Sequence, residues 1–147
     1  MVLIRRQEPS EHHAVGTLVQ TVVDEVYGGV WAAPPLHIDE EDWSLAWVAV
    51  SESKIVGMVL TNQEWVSDLW VLREYRNEGV GRQLLSRGEV EIAAQGYFTA
   101  RLRVVKSNVR AVSFYNRLGW KVAREFPHET LPIGMLEMSK VLNGRER

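Results

Sequence analysis

One short stretch of the sequence combines two glycines with an arginine where the residue pattern changes. Residues 76–81, Arg-Asn-Glu-Gly-Val-Gly, lie between a run of β-branched and aromatic residues and a run with helical spacing. Glycine lets an oxyanion approach the main chain closely, and a helix start offers unpaired N–H groups at the positive end of its dipole. The stretch therefore predicts either a phosphate-type anion site or a simple tight turn.

Two common nucleotide-binding motifs do not fit this stretch. Gly79 and Gly81 could begin G-x-G-x-x-G, but Leu84 occupies the third glycine position. The strand expected next ends in residues 104–107, Val-Val-Lys-Ser, without the acidic residue that binds a ribose. The phosphate-loop pattern G-x-x-x-x-G-K-[ST] is also missing from the sequence. We therefore expect neither dinucleotide binding nor nucleotide hydrolysis.

Three further side chains have the chemistry for a site. Asp68 is either a proton acceptor or a hydrogen-bonding residue that stabilises a bulged strand. Asn108 stands where a helix N-cap is expected. Tyr115 shares a helical face with apolar residues, so periodicity alone favours a core position for it.

The acidic and histidine residues are less specific. The acidic run 39–42 either attracts cationic amines or begins a solvated helix. The four histidines have no metal-ligand spacing, and the chain has no cysteine. We therefore predict that the protein binds no metal.

The surrounding pattern predicts the elements that hold these residues. In order, they are a strand at 2–6, a helix capped by Ser10 and ended by Gly28-Gly29, a loop or broken helix at 30–42, a hairpin at 44–63 with its turn at 51–54, a strand at 65–72, a helix at 80–95, a strand at 98–105, a helix from Asn108 to Leu118, and two closing strands at 119–126 and 134–142. The strand, helix and strand over 65–105 imply a parallel pair with a right-handed crossover.

Two of these motifs together resemble the GNAT superfamily of N-acetyltransferases. In that family the sequence R/Q-x-x-G-x-G/A holds the pyrophosphate of acetyl-CoA, and residues 76–81 match it in full. The second block, residues 108–122, has an asparagine, a Phe-Tyr pair and Leu-Gly-Trp where the family has its cofactor-contacting asparagine and tyrosine. The resemblance covers about residues 45–142. It implies one domain over 1–147, with a mixed, mostly antiparallel sheet, a central splayed parallel strand pair and about four flanking helices.

The resemblance also implies which residues bind the cofactor. Pyrophosphate would be held by main-chain N–H groups of the loop and helix start, namely Asn77, Glu78, Gly79, Val80, Gly81 and Arg82. Arg76 and Arg82 would add positive charge. The pantetheine arm would pair with the main chain of Leu69 and Val71, and an N–H near Leu69 would polarise the acetyl carbonyl. Asn108 would contact the cofactor as well.

Acetyl transfer to an amine requires a base and an acid. A primary amine, with a pKa near ~10, must lose a proton, and a thiolate, with a pKa near ~8.5 for the thiol, leaves more easily when protonated. The resemblance assigns the acid role to Tyr115. Spermidine/spermine N-acetyltransferases have a glutamate base on the similar strand, and this sequence has Ser67 there. The base is therefore Asp68, Glu64 or a loop acid, acting directly or through ordered water.

The resemblance implies an acetyl-CoA-dependent N-acetyltransferase. It would move an acetyl group directly to a primary amine of a small molecule or a peptide, with an acceptor pocket built by residues 28–42. The alternative, suggested by Ser67, is a non-catalytic acyl-CoA-binding or sensing module on the same fold.

Composition excludes several other classes. A chain of 147 residues with 46% hydrophobic residues fits one core, and a net charge of −2 argues against a nucleic-acid partner. The sequence has no apolar run long enough to span a membrane and no cysteine, which fits the cytoplasm. In the family that the sequence resembles, the C-terminal strands often pair two subunits, so we expect a homodimer. The apolar residues of the last strand could serve either packing or pairing, namely Met135, Leu136, Met138 and Val141.

Overall fold

The computed structural model describes residues 2–28 and 41–142. In chain order the elements are β1 (Leu3–Arg6), α1 (His12–Tyr27), β2 (Trp47–Ser51), β3 (Lys54–Asn62), β4 (Trp65–Val71), α2 (Val80–Ala94), β5 (Thr99–Val105), α3 (Val109–Arg117), β6 (Lys121–Pro127) and β7 (Gly134–Val141). Short 3-10 turns occupy Pro9–Glu11 and Arg73–Tyr75. Most of the segment predicted as a loop, 30–42, lies outside the described residues.

The strands form one mixed sheet of seven strands. Their order is β1-β2-β3-β4-β5-β7-β6. β4 and β5 run parallel, with Trp65 opposite Arg101, and the sheet is otherwise mostly antiparallel. The described residues contain three α-helices, against about four predicted. The predicted fold class and the parallel pair are therefore confirmed.

The start of α1 differs from the prediction. Ser10 was expected to cap this helix, but it lies inside the 3-10 turn and α1 begins at His12. Pro9 favours such a turn because its φ is already fixed near the helical value. Glu11 stabilises the turn by accepting a hydrogen bond from the N–H of Glu8 at 2.9 Å. The cap prediction for Ser10 is wrong because neighbouring residues supply the turn.

By its contacts the chain divides into two compact units. The first comprises Met1–Thr61 and Asp68–Gly88, and the second comprises Asn62–Ser67 and Glu89–Arg147. In the first unit, one face of α1 packs with residues of the sheet and of the segment before β2. This core contains Val15, Leu18, Val19, Val22, Trp43, Ala46, Val48 and Met58.

The second unit has its own buried side. Buried apolar residues of β5 and β7 lie side by side: Leu102 is opposite Met138, and Val104 is opposite Leu136. The other buried residues of this unit include Ile92 of α2 and Trp120 after α3. Because side chains alternate along a strand, the intervening residues of β5 and β7 point to the opposite, more polar face.

No helix within residues 2–28 and 41–142 combines the length and the apolar character that crossing a lipid bilayer requires.

Candidate cofactor and catalytic residues

The predicted phosphate loop is a turn with two left-handed residues. Asn77 has φ of 67° and Gly79 has φ of 84°. Asparagine tolerates this conformation and glycine adopts it without cost. A Cβ on Gly79 would meet no atom within 4 Å, so the backbone conformation, and not crowding inside the protein, favours glycine here.

This turn leads directly into α2. The carbonyl of Gly79 accepts the first helical hydrogen bond, from the N–H of Gln83 at 3.0 Å. The N–H groups of Val80, Gly81 and Arg82 therefore lie in the first turn, where a helix provides no partners. Val80 is buried, whereas Asn77–Gly79 are exposed to solvent. The result is an exposed helix start suited to an anion.

Arg76 ties the loop to the rest of the first unit. Its guanidinium donates two hydrogen bonds to Glu25 of α1, at 2.6 and 2.8 Å. Its Nε donates to the carbonyl of Val71 at 3.2 Å. The charge of Arg76 is thus balanced by Glu25, and its use on a pyrophosphate stays a prediction. The sequence has no signal for this pair, because the two residues are 51 positions apart.

The strand before the loop is fixed by close packing. The N–H of Leu72 donates to the carbonyl of Val56 at 2.9 Å. A Cβ on Gly57 would lie 2.9 Å from Cδ1 of Leu84 and 3.1 Å from the carbonyl oxygen of Trp70. Only glycine lets β3 approach β4 and α2 this closely. The predicted pantetheine contacts, Leu69 and Val71, lie half-buried in this packed segment.

Asp68 has the ionisation behaviour of a candidate base. It is half-buried, and its Oδ1 accepts a hydrogen bond from the indole Nε1 of Trp70 at 3.0 Å. Burial raises the pKa of Asp68 from 3.8 to about 6, Trp70 opposes the rise, and the negative charge of Glu41 adds to it. A carboxylate with such a pKa is ionised at neutral pH and is more basic than an ordinary aspartate. Ser67, by contrast, is exposed.

In the second unit, Asn108 caps α3 as predicted. Its Oδ1 accepts a hydrogen bond from the N–H of Ala111 at 3.2 Å, and its carbonyl accepts from the N–H of Val112 at 3.1 Å. A side-chain oxygen in this position satisfies one of the N–H groups left over at a helix start. The cap uses the oxygen of the amide, and a cofactor role for its nitrogen stays a prediction.

Tyr115 lies on α3 with its ring held by two aromatic neighbours. The ring centroids of Tyr115 and Phe114 are 5.3 Å apart, and those of Tyr115 and Trp120 are 6.2 Å apart. The N–H of Trp120 also donates to the carbonyl of Tyr115 at 3.0 Å. Tyr115 is half-buried, and its role as the acid stays a prediction.

The remaining candidates are only partly described. Asp39 and Glu40 of the acidic run lie outside the described residues, as does most of the predicted acceptor pocket at 28–42. Asp42 accepts a hydrogen bond from the N–H of Ser44 at 3.0 Å, which is a local turn contact. Among residues 2–28 and 41–142, no group of histidine and acidic side chains is arranged to hold a metal ion.

The model of the acetyltransferase (GNAT) family matches residues 17–120. No curated protein matches the sequence significantly.

Several solved structures share the fold. The ribosomal-protein-S18-alanine N-acetyltransferase of Escherichia coli is 19% identical with a TM-score of 0.72, covering 97% of this chain and 94% of its own. PaiA N-acetyltransferase of Thermoplasma acidophilum, solved with coenzyme A, is 19% identical with a TM-score of 0.75, covering 96% and 99%. YncA of Salmonella typhimurium, solved with its cofactor acetyl-CoA, is 16% identical with a TM-score of 0.80, covering 97% and 95%. With a family model matched over more than half of its length, this chain belongs to the GNAT acetyltransferase family.

Proposed function

We propose that the protein transfers the acetyl group of acetyl-CoA directly to a primary amine. The observation that carries the proposal is the exposed start of α2, where the left-handed residues Asn77 and Gly79 precede N–H groups without helical partners. Family membership supplies the context, and two proteins of similar fold were solved with coenzyme A or acetyl-CoA. Pyrophosphate oxygens would bind the N–H groups of residues 77–82.

The proposed reaction needs protons to leave the amine nitrogen and one proton to reach the sulfur. Asp68 accepts a proton from the ammonium form of the acceptor, either directly or through ordered water. The free amine nitrogen attacks the acetyl carbonyl carbon, an N–C bond forms, the nitrogen loses its second proton to solvent water, and the C–S bond breaks. Tyr115 donates its hydroxyl proton to the departing sulfur, and the products are an amide and coenzyme A. The N–H of Leu69 would stabilise the charge that develops on the carbonyl oxygen.

The raised pKa of Asp68 supports its role as the base. General bases work best with a pKa near the operating pH, and burial brings the pKa of Asp68 to about 6. Glu64, the other named candidate, is also half-buried and lies just before β4. Of the two, Asp68 is the stronger candidate.

The acceptor is a primary amine of a small molecule or a peptide. One protein of similar fold acts, by its name, on the alanine of ribosomal protein S18. Burial is the main cause of the raised pKa of Asp68, and the negative charge of Glu41 adds a smaller part. A bound ammonium would stabilise the ionised carboxyl against both effects, which favours a cationic acceptor.

A second candidate function is a non-catalytic acyl-CoA-binding or sensing module. Ser67, the position of the base in a related subfamily, is exposed and cannot accept a proton unaided. The two functions share the cofactor and differ in turnover.

One experiment separates these candidates. Acetyl-CoA binding is measured by calorimetry, and release of free thiol is then followed with a panel of polyamines, amino acids and peptide N-termini. An enzyme releases thiol with at least one acceptor, and mass spectrometry finds the matching amide. Saturable binding of acetyl-CoA without acceptor-dependent release over the whole panel would favour the sensing module. Absence of binding would reject both.

We further propose that residues 1–147 act as a single domain in the cytoplasm and form a homodimer. The last point has weaker support than the sequence suggested, because Leu136 and Met138 are buried within the second unit. Of the apolar set on β7, Val141 is exposed and Met135 half-buried. Light scattering at high protein concentration tests the dimer, and a strict monomer would reject it.

A further inference from the structure

The more polar sheet face of the second unit carries an ordered group of basic side chains. The paired registers of β5, β7 and β6 align two rows across the three strands: Arg103, Glu137 and Arg124 in one, and Arg101, Ser139 and Lys121 in the other. Directly paired residues point to the same side of a sheet. These six residues, called the arginine face below, comprise four cations and one carboxylate, a formal charge of +4 − 1 = +3.

A single buried acid organises two of the arginines. Glu137 Oε2 accepts from Arg101 Nη1 at 3.2 Å, and its Oε1 accepts from Arg124 Nε at 3.1 Å. The side chain of Glu137 is only 10% exposed, whereas those of Arg101 and Arg124 are 37% and 54% exposed. A guanidinium has five N–H donors, and each of these bonds uses one of them. Both arginines therefore keep donors directed to solvent while Glu137 fixes their positions.

Arg103 is held by aromatic rings. Its guanidinium carbon lies 5.0 Å from the ring centroid of Trp65 and 5.6 Å from that of Phe126. Arg124 lies 4.4 Å from the same Phe126 ring. Contact with a ring face fixes the plane of a guanidinium and leaves its N–H edges available for hydrogen bonds. Arg103 itself is exposed, so these edges are accessible.

We propose that the arginine face binds an extended acidic segment of a partner protein. Arg101 and Arg103 are two residues apart on β5, which is about 6.6 Å along a strand. Acidic side chains two residues apart in an extended peptide repeat at the same spacing. Carboxylates match the planar guanidinium fork, and a face whose donors are already positioned loses little entropy on binding. The surface is an open sheet face, which suits a peptide better than an enclosed small molecule.

Charge and size disfavour two other occupants. The three strands of the arginine face span only about 10 Å, enough for a few anionic groups, and the whole chain has a net charge of −2. Nucleic acids are usually bound through many phosphates by a basic domain, so they fit poorly. A second copy joined by a two-fold axis would place this face against itself, with like charges opposed.

The test uses fluorescence anisotropy on the full chain. The probe is a labelled ten-residue peptide that alternates glutamate and serine, and the reference peptide has glutamine at each glutamate position. We expect the acidic peptide to bind saturably and at least about tenfold more tightly than the reference, with affinity falling as salt rises. A single-stranded oligonucleotide of equal charge is expected to bind more weakly than the acidic peptide.

Variants identify the groups responsible. Arg103→Gln should weaken binding of the acidic peptide about tenfold, and Arg103→Lys should weaken it severalfold because lysine keeps the charge but loses the flat fork. Lys54→Gln makes the same charge change at the exposed first residue of β3 and should leave affinity unchanged. Thermal unfolding checks that each variant is folded, and Arg124→Gln replaces Arg103→Gln if the latter is not.

Three results would overturn the proposal. One is failure of the acidic peptide to bind better than its glutamine reference. Another is equal weakening by Lys54→Gln and Arg103→Gln, which would indicate a general field effect. The third is tighter binding of the oligonucleotide than of the peptide, which would assign the face to a nucleic acid.

Discussion

The start of α2 and the start of α3 differ in whether a side chain caps their main-chain N–H groups. At α2, a glycine stands before the helix and the loop leading into it contains two left-handed residues, Asn77 and Gly79. At α3, Asn108 supplies a side-chain oxygen that already accepts a hydrogen bond from the N–H of Ala111. Gly79 has no side chain that could accept a hydrogen bond from an N–H group at the start of α2. At the start of α3, the side chain of Asn108 already accepts one.

The contrast extends to the residues around each helix start. In the region from Asp68 to Arg82, a half-buried carboxyl has a raised pKa, and an asparagine adopts a left-handed conformation. In the region from Asn108 to Tyr115, the cap is satisfied and the tyrosine ring packs against aromatic neighbours. Carboxyl groups with a raised pKa are concentrated where a protein binds or reacts. We infer that the first region is shaped for a ligand, and that the capped and packed second region stabilises α3.

The largest expected effect comes from Tyr115. If its hydroxyl protonates the departing thiolate, Tyr115→Phe keeps the ring contacts and removes the proton. We expect kcat to fall by about 10²-fold with little change in the KM for acetyl-CoA. Steady-state kinetics at saturating acceptor measures both quantities.

Tyr97 offers a matched control for that measurement. It is a half-buried tyrosine that follows α2 and has no proposed role, so Tyr97→Phe should leave kcat unchanged. With an acetyl thioester whose thiol is a better leaving group, Tyr115→Phe should lower kcat less, because departure of that thiol depends less on proton transfer. Equal rates for the parent and Tyr115→Phe, with chemistry rate-limiting, would make Tyr115 a supporting residue only.

The second prediction tests the open helix start with two glycines. Gly79 and Gly96 both have positive φ, 84° and 93°, and a Cβ on either would meet no atom within 4 Å. Replacing either by alanine should cost about 1 kcal/mol of stability through backbone strain. Only Gly79→Ala should also raise the Kd of coenzyme A, about tenfold or more, because its Cβ would stand where pyrophosphate oxygens approach. Gly81→Val should weaken binding similarly without unfolding the protein.

Calorimetry and thermal unfolding on these variants measure affinity and stability separately. Coenzyme A affinity that falls equally in the Gly79 and Gly96 variants would mean that stability, and not the loop, controls binding. Unchanged affinity in a folded Gly81→Val protein would remove the start of α2 from the cofactor site.

Much of the fold follows from local patterns in the sequence. The hairpin of β2 and β3, the strand alternation in β5 and the Asn108 cap depend on residues close in sequence, and all three were predicted. The 3-10 turn at Pro9–Glu11 was missed, because reciprocal contacts of Glu8 and Glu11 replaced a simple serine cap. Local rules identify which residues form an element, but several residues can compete to begin it.

The candidate site was predictable where it depends on main-chain conformation. Glycine spacing indicates a helix start open to an anion, and the structure has such a start at residues 79–80. Contacts between residues far apart in the sequence could not be predicted from its local patterns. The ion pair of Arg76 with Glu25 and the environment that raises the pKa of Asp68 depend on tertiary contacts, which periodicity does not contain. Arg76 was expected to bind the cofactor, and in the structure its charge is paired with Glu25.

The third prediction concerns Asp68 and the dependence of stability on pH. Its pKa is raised to about 6 in the folded protein from an ordinary 3.8, so the folded state holds the proton more tightly than the unfolded state. Stability therefore falls as pH rises from about 4 to about 6, and the full cost is present above pH 6. Asp68→Asn removes this cost and keeps an oxygen for Trp70. We expect it to be more stable by about 1–2 kcal/mol at pH 8 and no more stable at pH 4.

Urea unfolding at the two pH values measures this difference. Asp42→Asn, at an exposed position, serves as the control and should show no gain at pH 8. If Asp68 is also the base, Asp68→Asn should lower kcat/KM for the acceptor and abolish the loss of activity below pH 6. A variant that is stabilised at pH 8 and fully active would leave Asp68 as a buried structural acid.

The smallest expected effect belongs to the filled helix start. Asn108→Ala removes the oxygen that caps Ala111 and should cost about 1 kcal/mol of stability. Asn108→Asp keeps an oxygen at the same place, next to the positive end of the helix dipole, and should be as stable as the parent. Both variants lose the amide nitrogen. If that nitrogen also contacts the cofactor, both should weaken coenzyme A binding severalfold, although only Asn108→Ala is destabilised. Calorimetry with coenzyme A and thermal unfolding measure the two effects independently. Parent-like affinity in Asn108→Asp would limit Asn108 to its role as the cap of α3.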